Sequence, residues 1–104
     1  PNYYAGVEFK YDVPESGKYK IAIRYGLGLS DSKTTGLVIN GKRLNQSLEL
    51  LPTGGWSNWR NAFVEVELQE GINTIGIKLD SMTYGDTGNF NLDYISVNNG
   101  TLIR

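Results

Sequence analysis

Apolar and polar residues alternate along much of this chain with a period of two, the period of a strand that buries one face. Val7, Phe9, Tyr11 and Val13 fall on one side of a run whose other side carries Glu8, Lys10 and Asp12. Tyr19, Ile21, Ile23 and Tyr25 alternate in the same way with Lys20, Ala22 and Arg24. The Pro14-Glu15-Ser16-Gly17 segment between them has turn chemistry, so the two runs are expected to pair as a hairpin. Leu37-Val38-Ile39 leads into Asn40-Gly41, the dipeptide best suited to a two-residue hairpin turn. A return strand through Leu44, Leu48, Leu50 and Leu51 is interrupted by polar residues 45–47. Val64, Val66 and Leu68 then face one way and Glu65 and Glu67 the other. Glu70-Gly71 turns the chain into a run containing Ile75, Ile77 and Leu79, and a last strand is expected around Leu92 to Val97.

Three longer stretches, 26–36, 52–61 and 80–90, have no such period and are rich in Gly, Asn, Tyr and Trp, so they read as loops. Short strands at roughly ten-residue spacing imply an all-β fold, an antiparallel β-sandwich, as a single domain over residues 1–104. If successive turns alternate ends, the three long loops gather at one end of the sandwich, where a rigid scaffold usually presents binding residues.

Composition narrows the chemistry. The 104 residues include 13 Gly, ten basic and eleven acidic side chains, and no His or Cys. Imidazole bases, thiolate nucleophiles and the usual zinc, iron-sulfur and copper ligand sets are therefore absent, which leaves only a hard cation held by oxygen. A net charge of −1 without a basic run offers no electrostatic footprint for nucleic acid or an anionic membrane. No apolar run approaches the ~18 residues needed to span a bilayer, and no leader opens the chain, so it reads as a soluble segment.

Catalysis finds little support. Glu65 and Glu67 lie within the separation of about 5 to 9.5 Å that a glycosidase pair uses, but the alternation places both on a solvated sheet face with no pocket to shift either. Asp86 and Asp93 bracket a loop as a second conceivable pair. Without His, a serine nucleophile would need another base, and no motif supplies one.

Binding fits better. Seven Tyr, two Trp and ten Asn in a near-neutral chain suit an uncharged ligand that has weakly polar faces and many hydroxyls, which describes a sugar. Trp56 follows Thr53-Gly54-Gly55, neighbours too small to cover an indole, and is read as a ligand platform, with loop packing as the alternative. Trp59 approaches the Val64 and Val66 strand and is read as a lid on the core. Arg60 lies beside the Trp56 loop, within reach of a carboxylate on an acidic sugar, whereas Arg24 belongs to an exposed strand face.

Five segments in order carry a family resemblance: Val13-Pro14-Glu15-Ser16-Gly17-Lys18-Tyr19 with Ile23-Arg24-Tyr25; Val38-Ile39-Asn40-Gly41; Pro52-Thr53-Gly54-Gly55-Trp56-Ser57-Asn58-Trp59; Leu68-Gln69-Glu70-Gly71-Ile72-Asn73-Thr74-Ile75; and Phe90-Asn91-Leu92-Asp93-Tyr94-Ile95. Over nearly the whole span from Val7 to Val97 the chain resembles carbohydrate-binding modules of families 6 and 35. The resemblance implies a jelly-roll β-sandwich, non-catalytic, appended to the catalytic domain of a secreted carbohydrate-active enzyme, with its sugar site in the loops at one end. Trp56 and Asn91 match the family's sugar-binding positions, and Tyr3 or Tyr4 is the nearest candidate for a second aromatic. It further implies a structural calcium ion with Asp93 as one ligand. The N-terminal strand or strands that carry the other acidic ligands in the family have no counterpart here, so calcium binding is an expectation that this chain supports only at Asp93. The open sheet edge would also suit a dimer or a partner strand. A structural domain that packs on a neighbour and binds no sugar is the alternative reading, and an enzyme in its own right is the third.

Overall fold

In the computed structural model, residues 7–44 and 46–104 are described. Nine strands and one short helix follow in order: β1 (Val7–Val13), β2 (Gly17–Leu27), β3 (Lys33–Ile39), β4 (Lys42–Arg43), β5 (Leu48–Leu50), β6 (Gly55–Leu68), β7 (Gly71–Lys78), α1 (Ser81–Tyr84), β8 (Asn91–Val97) and β9 (Thr101–Ile103). They form two facing antiparallel sheets. One runs β4-β3-β7-β1-β9, with β5 also paired to β3, and the other runs β6-β2-β8. This is the β-sandwich that the alternation implied.

Tyr11, Val13, Leu37, Ile39, Ile75 and Ile77 of the first sheet meet Ile21, Ile23, Tyr25, Leu27, Val66, Leu68, Ile95 and Val97 of the second in one core. The Tyr11 hydroxyl donates to the Ile95 carbonyl and ties the two sheets together. Tyr25 donates to the Leu51 carbonyl at 2.7 Å, so each buried phenol keeps a partner for its polar end.

The expected β1–β2 hairpin does not form. β1 pairs with β7 and β9, while β2 pairs with β6 and β8, so residues 14–16 cross from one sheet to the other. Alternation reports which face is buried, and strands on opposite sides of one core bury equivalent faces. The Asn40-Gly41 turn does join a true hairpin. Asn40 and Gly41 have φ of 52° and 83°, both in the left-handed region that a type I′ turn requires, and Val38 and Ile39 pair with Arg43 and Lys42.

Two of the three sequence-read loops are shorter than expected, and the third contains a helix. β2 continues to Leu27 and β3 starts at Lys33, β6 starts at Gly55, and α1 occupies part of the third. The connections 28–32, 51–54 and 79–90 nevertheless share one end of the sandwich. The Thr53 amide donates to the Leu27 carbonyl at 3.0 Å, and the Thr87 and Gly88 amides donate to the Thr34 carbonyl at 3.2 and 3.0 Å. The opposite end is closed by buried Asn73, whose Oδ1 accepts from the Gln69 amide and the Asn40 side chain and whose Nδ2 donates to the Gln69 carbonyl.

Candidate functional site

The loop-bearing end is built around an irregularity in β6. Thr53 clamps the start of that strand to the end of β2: its Oγ1 accepts from the Leu27 amide at 3.0 Å and donates to the Gly55 carbonyl at 2.8 Å. Leu27 thus pairs with Gly55, while Tyr25 pairs with Arg60, so residues 56–59 of β6 span the space opposite Gly26 alone. The excess chain bulges outward over β2.

Glycine makes this possible. A Cβ at Gly26 would lie 2.3 Å from the Trp56 carbonyl oxygen and 3.4 Å from Cζ3 of the Trp59 ring. A Cβ at Gly28 would lie 2.5 Å from Nε1 of the Trp56 indole. Tyr25 and Leu27 point into the core, so Gly26 lies on the outward face of β2, and Gly28 follows just past the end of the strand. Both indoles therefore rest on that face, and each keeps 37% of its surface open.

The bulge overturns the core-lid reading of Trp59. It carries β6 back past Arg60, and Trp59, of the same parity as outward Asn61 and Phe63, lies on the outer surface with the same exposure as Trp56. Asn91, opposite Gly26 in β8, donates from Nδ2 to the Trp56 carbonyl at 3.1 Å and so fixes the bulge from the other side. Sequence reading brought Trp56 and Asn91 to one end, and the structure joins them directly. Arg60 is exposed, but it lies opposite inward-pointing Tyr25, on the other side of β6 from Asn61 and Phe63. Tyr3 and Tyr4 lie outside the described residues.

The aspartates are held apart by separate arginines. A register shift between Arg24 and Tyr25 leaves Asp93 as the extra residue of β8, and its Oδ2 accepts from Arg24 Nε at 3.0 Å. Arg24 is thus one half of an ion pair on its strand face. Asp86 is fully buried and takes both ends of the Arg43 guanidinium at 2.7 and 3.0 Å, together with Ser47 Oγ and the Asp80 amide, each at 2.8 Å. Burial pushes the Asp86 carboxyl up, but the hydrogen bonds from Arg43, the Asp80 amide and Ser47 outweigh it and hold the carboxyl below its ordinary range. The Arg43 guanidinium also lies 3.6 Å from the centre of the Tyr84 ring. Sequence reading missed Arg43, because nothing local ties it to a residue 43 positions away.

No family model matches the chain. It is 37% identical over 89 residues to a 1,6-alpha-glucosyltransferase of Sporosarcina globispora, a match covering 86% of this chain and 7% of that enzyme. Among solved structures, Xyl-CBM35 in complex with a glucuronic acid containing disaccharide superposes with a TM-score of 0.75 and 31% identity, over 99% of this chain and 73% of the other. The family 35 module of Cellvibrio japonicus Abf62 superposes with a TM-score of 0.74 and 32% identity, over 93% of this chain and 67% of the other.

The chain belongs to the family 35 carbohydrate-binding modules. Its antiparallel sandwich is that of the family, and the matched relatives include segments of carbohydrate-active enzymes. Among the described residues, Asp93 is the one ligand expected for the calcium ion that the resemblance implies. Asp93 is matched by a guanidinium, and among the described residues no three His, Cys, Asp or Glu side chains come together. Among those residues, too, no helix is long and apolar enough to cross a membrane.

Proposed function

We propose that this module holds a carbohydrate at its loop-bearing end, with the Trp56 indole covering a face of a sugar ring and Asn91 keeping that indole in place. The observation that carries the reading is the bedding of Trp56 on Gly28 with more than a third of the residue open. A core or packing tryptophan would be covered on both faces. An indole backed on one side and wet on the other is ready to exchange water for the C–H face of a pyranose. That exposure favours a binder over a domain that only packs on a neighbour.

The module acts without catalysis in this reading. Glu65 and Glu67 stand on the outer sheet face opposite Lys20 and Lys18, and Asp86 and Asp93 are each engaged by an arginine. Neither of the two carboxylate pairs that the sequence offered is poised in a cleft. The share of the glucosyltransferase that the chain covers suits a module that tethers a parent enzyme to its glycan, outside the cell.

Iodide quenching of tryptophan fluorescence tests the reading. In a Trp59→Phe background the signal comes from Trp56 alone, and the expected result is strong quenching that added polysaccharide suppresses. An indole that iodide reaches equally well with and without every polysaccharide tried would overturn it.

A further inference from the structure

Beyond the loop end, the outward face of the β6-β2-β8 sheet carries features that the fold alone does not need. Along β2 the residues on this face are Gly26, Arg24, Ala22 and Lys20, with Gly28 just past the end of the strand. Trp56 lies over Gly28 and Trp59 over Gly26. Arg24 is flanked across the sheet by Tyr94 of β8 and Asn61 of β6, and Ala22 by Ser96 and Phe63. Phe63 is 58% exposed and Tyr94 46%.

A single aromatic on a solvated sheet is ordinary. Four in succession, with glycine or alanine beside three of them, form a row. From Gly28 to Ala22 it extends about 20 Å along β2 at the usual rise of a strand. It ends at a shallow hollow of about 360 Å³ that is floored by Ala22 and bordered by Phe63, Ser96, Asn98 and Lys20.

The charges on this face are matched. Lys18 stands opposite Glu67, Lys20 opposite Glu65, and Arg24 pairs with Asp93. Lys20 Nζ lies 5.2 Å from the centre of the Phe63 ring. With no uncompensated cation on the row, an acidic glycan gains nothing there over a neutral one, while apolar ring faces reward any sugar that brings C–H surface to them.

The geometry points to an extended track: the loop-end site continues down the outward face of the β6-β2-β8 sheet and takes several consecutive units of an unbranched, uncharged glycan chain. The track rests on the Trp56 reading, because it begins there. It differs in assigning Phe63 and Tyr94 to the more distant units of the chain, and in setting the ligand class as neutral and internal to a polymer.

The test is calorimetric titration with neutral gluco-oligosaccharides, α-1,6-linked and β-1,4-linked, from disaccharide to heptasaccharide, beside glucuronic-acid-containing oligosaccharides of equal length. Wild-type affinity is expected to rise with chain length in at least one neutral series. Phe63→Ala and Tyr94→Ala should each weaken the longest ligand roughly tenfold and leave the disaccharide unchanged. Ala22→Gln, which fills the hollow without removing a ring, should do the same, and thermal melts confirm that each variant is folded. If Trp56→Ala abolishes binding while Phe63→Ala, Tyr94→Ala and Ala22→Gln match wild type at every length, the track is wrong and the loop-end site stands. Tighter binding of the acidic series at equal length overturns the assignment to neutral glycans. If the wild type binds no oligosaccharide, or binds equally well without Trp56, the loop-end reading fails and the track fails with it.

Discussion

The side-chain amide of Asn91 donates a 3.1 Å hydrogen bond to the backbone carbonyl of Trp56. One residue from the last long strand thereby holds the bulge that lifts an indole onto the surface. Asn91→Ala removes the donor and leaves the exposed indole without its tether. The expected outcome is a stability loss of about 1 kcal/mol together with a several-fold loss of sugar affinity. Thermal melting and affinity electrophoresis on the same variant measure the two, and unchanged affinity would limit Asn91 to a structural part.

Gly28 and Gly26 should respond differently to the same substitution. At Gly28 an added Cβ meets the Trp56 indole, an exposed side chain that can move, so Gly28→Ala is expected to cost little stability and much of the binding. At Gly26 the Cβ meets the Trp56 backbone oxygen at 2.3 Å, and the bulge itself must shift. Gly26→Ala is expected to lower stability by about 1 to 3 kcal/mol as well as binding. Equal melting temperatures for the two variants would contradict this account of the bulge.

The Arg43–Asp86 pair sets an acid limit on stability. The folded carboxyl lies below its ordinary range, so the pair contributes fully above the unfolded pKa of about 3.9. That contribution is lost as pH falls through the lower folded value. Asp86→Asn leaves the Arg43 charge nearly buried without its partner and is expected to cost about 3 to 5 kcal/mol near neutral pH. Denaturant titrations of both proteins from pH 7 down to pH 2 should show the gap narrowing as the wild type protonates. A gap that holds constant with pH would show that the loss is one of shape.

Arg24 and Asp93 are each about one third exposed, and such pairs contribute at most about 1 kcal/mol. Arg24→Ala should therefore change the melting temperature little. Because the guanidinium already compensates Asp93, millimolar calcium should leave the wild-type melting temperature unmoved. A clear upward shift with calcium would show that the ion displaces Arg24 and recruits ligands beyond those described here.

Period-two alternation located the middles of the longer strands and their buried faces, since burial selects side chains one by one, but not the short β9 (Thr101–Ile103) or the ends of β2 and β6. It could not pair the strands: Val7–Val13 and Gly17–Leu27 bury like faces from opposite sheets. Trp56 and Asn91 stood out by residue type and by their order along the chain. The 56–59 bulge did not, because Gly26 and Gly28 read as loop glycines until the strand beside them was known. Trp59 shares the parity of outward Phe63 and Glu65, which became legible only once the strand was known to reach back past it. Arg43 and Asp86 are 43 residues apart, and Phe63 joins the aromatic row only through its register with Ala22. Such relationships belong to the fold and leave no local trace.

Affinity electrophoresis of wild type and Trp56→Ala through gels containing plant, algal and bacterial polysaccharides tests the central claim most directly. The wild type is expected to be retarded by at least one neutral polysaccharide and Trp56→Ala, folded by thermal melting, to run freely through it. Equal retardation of the two proteins would contradict the account.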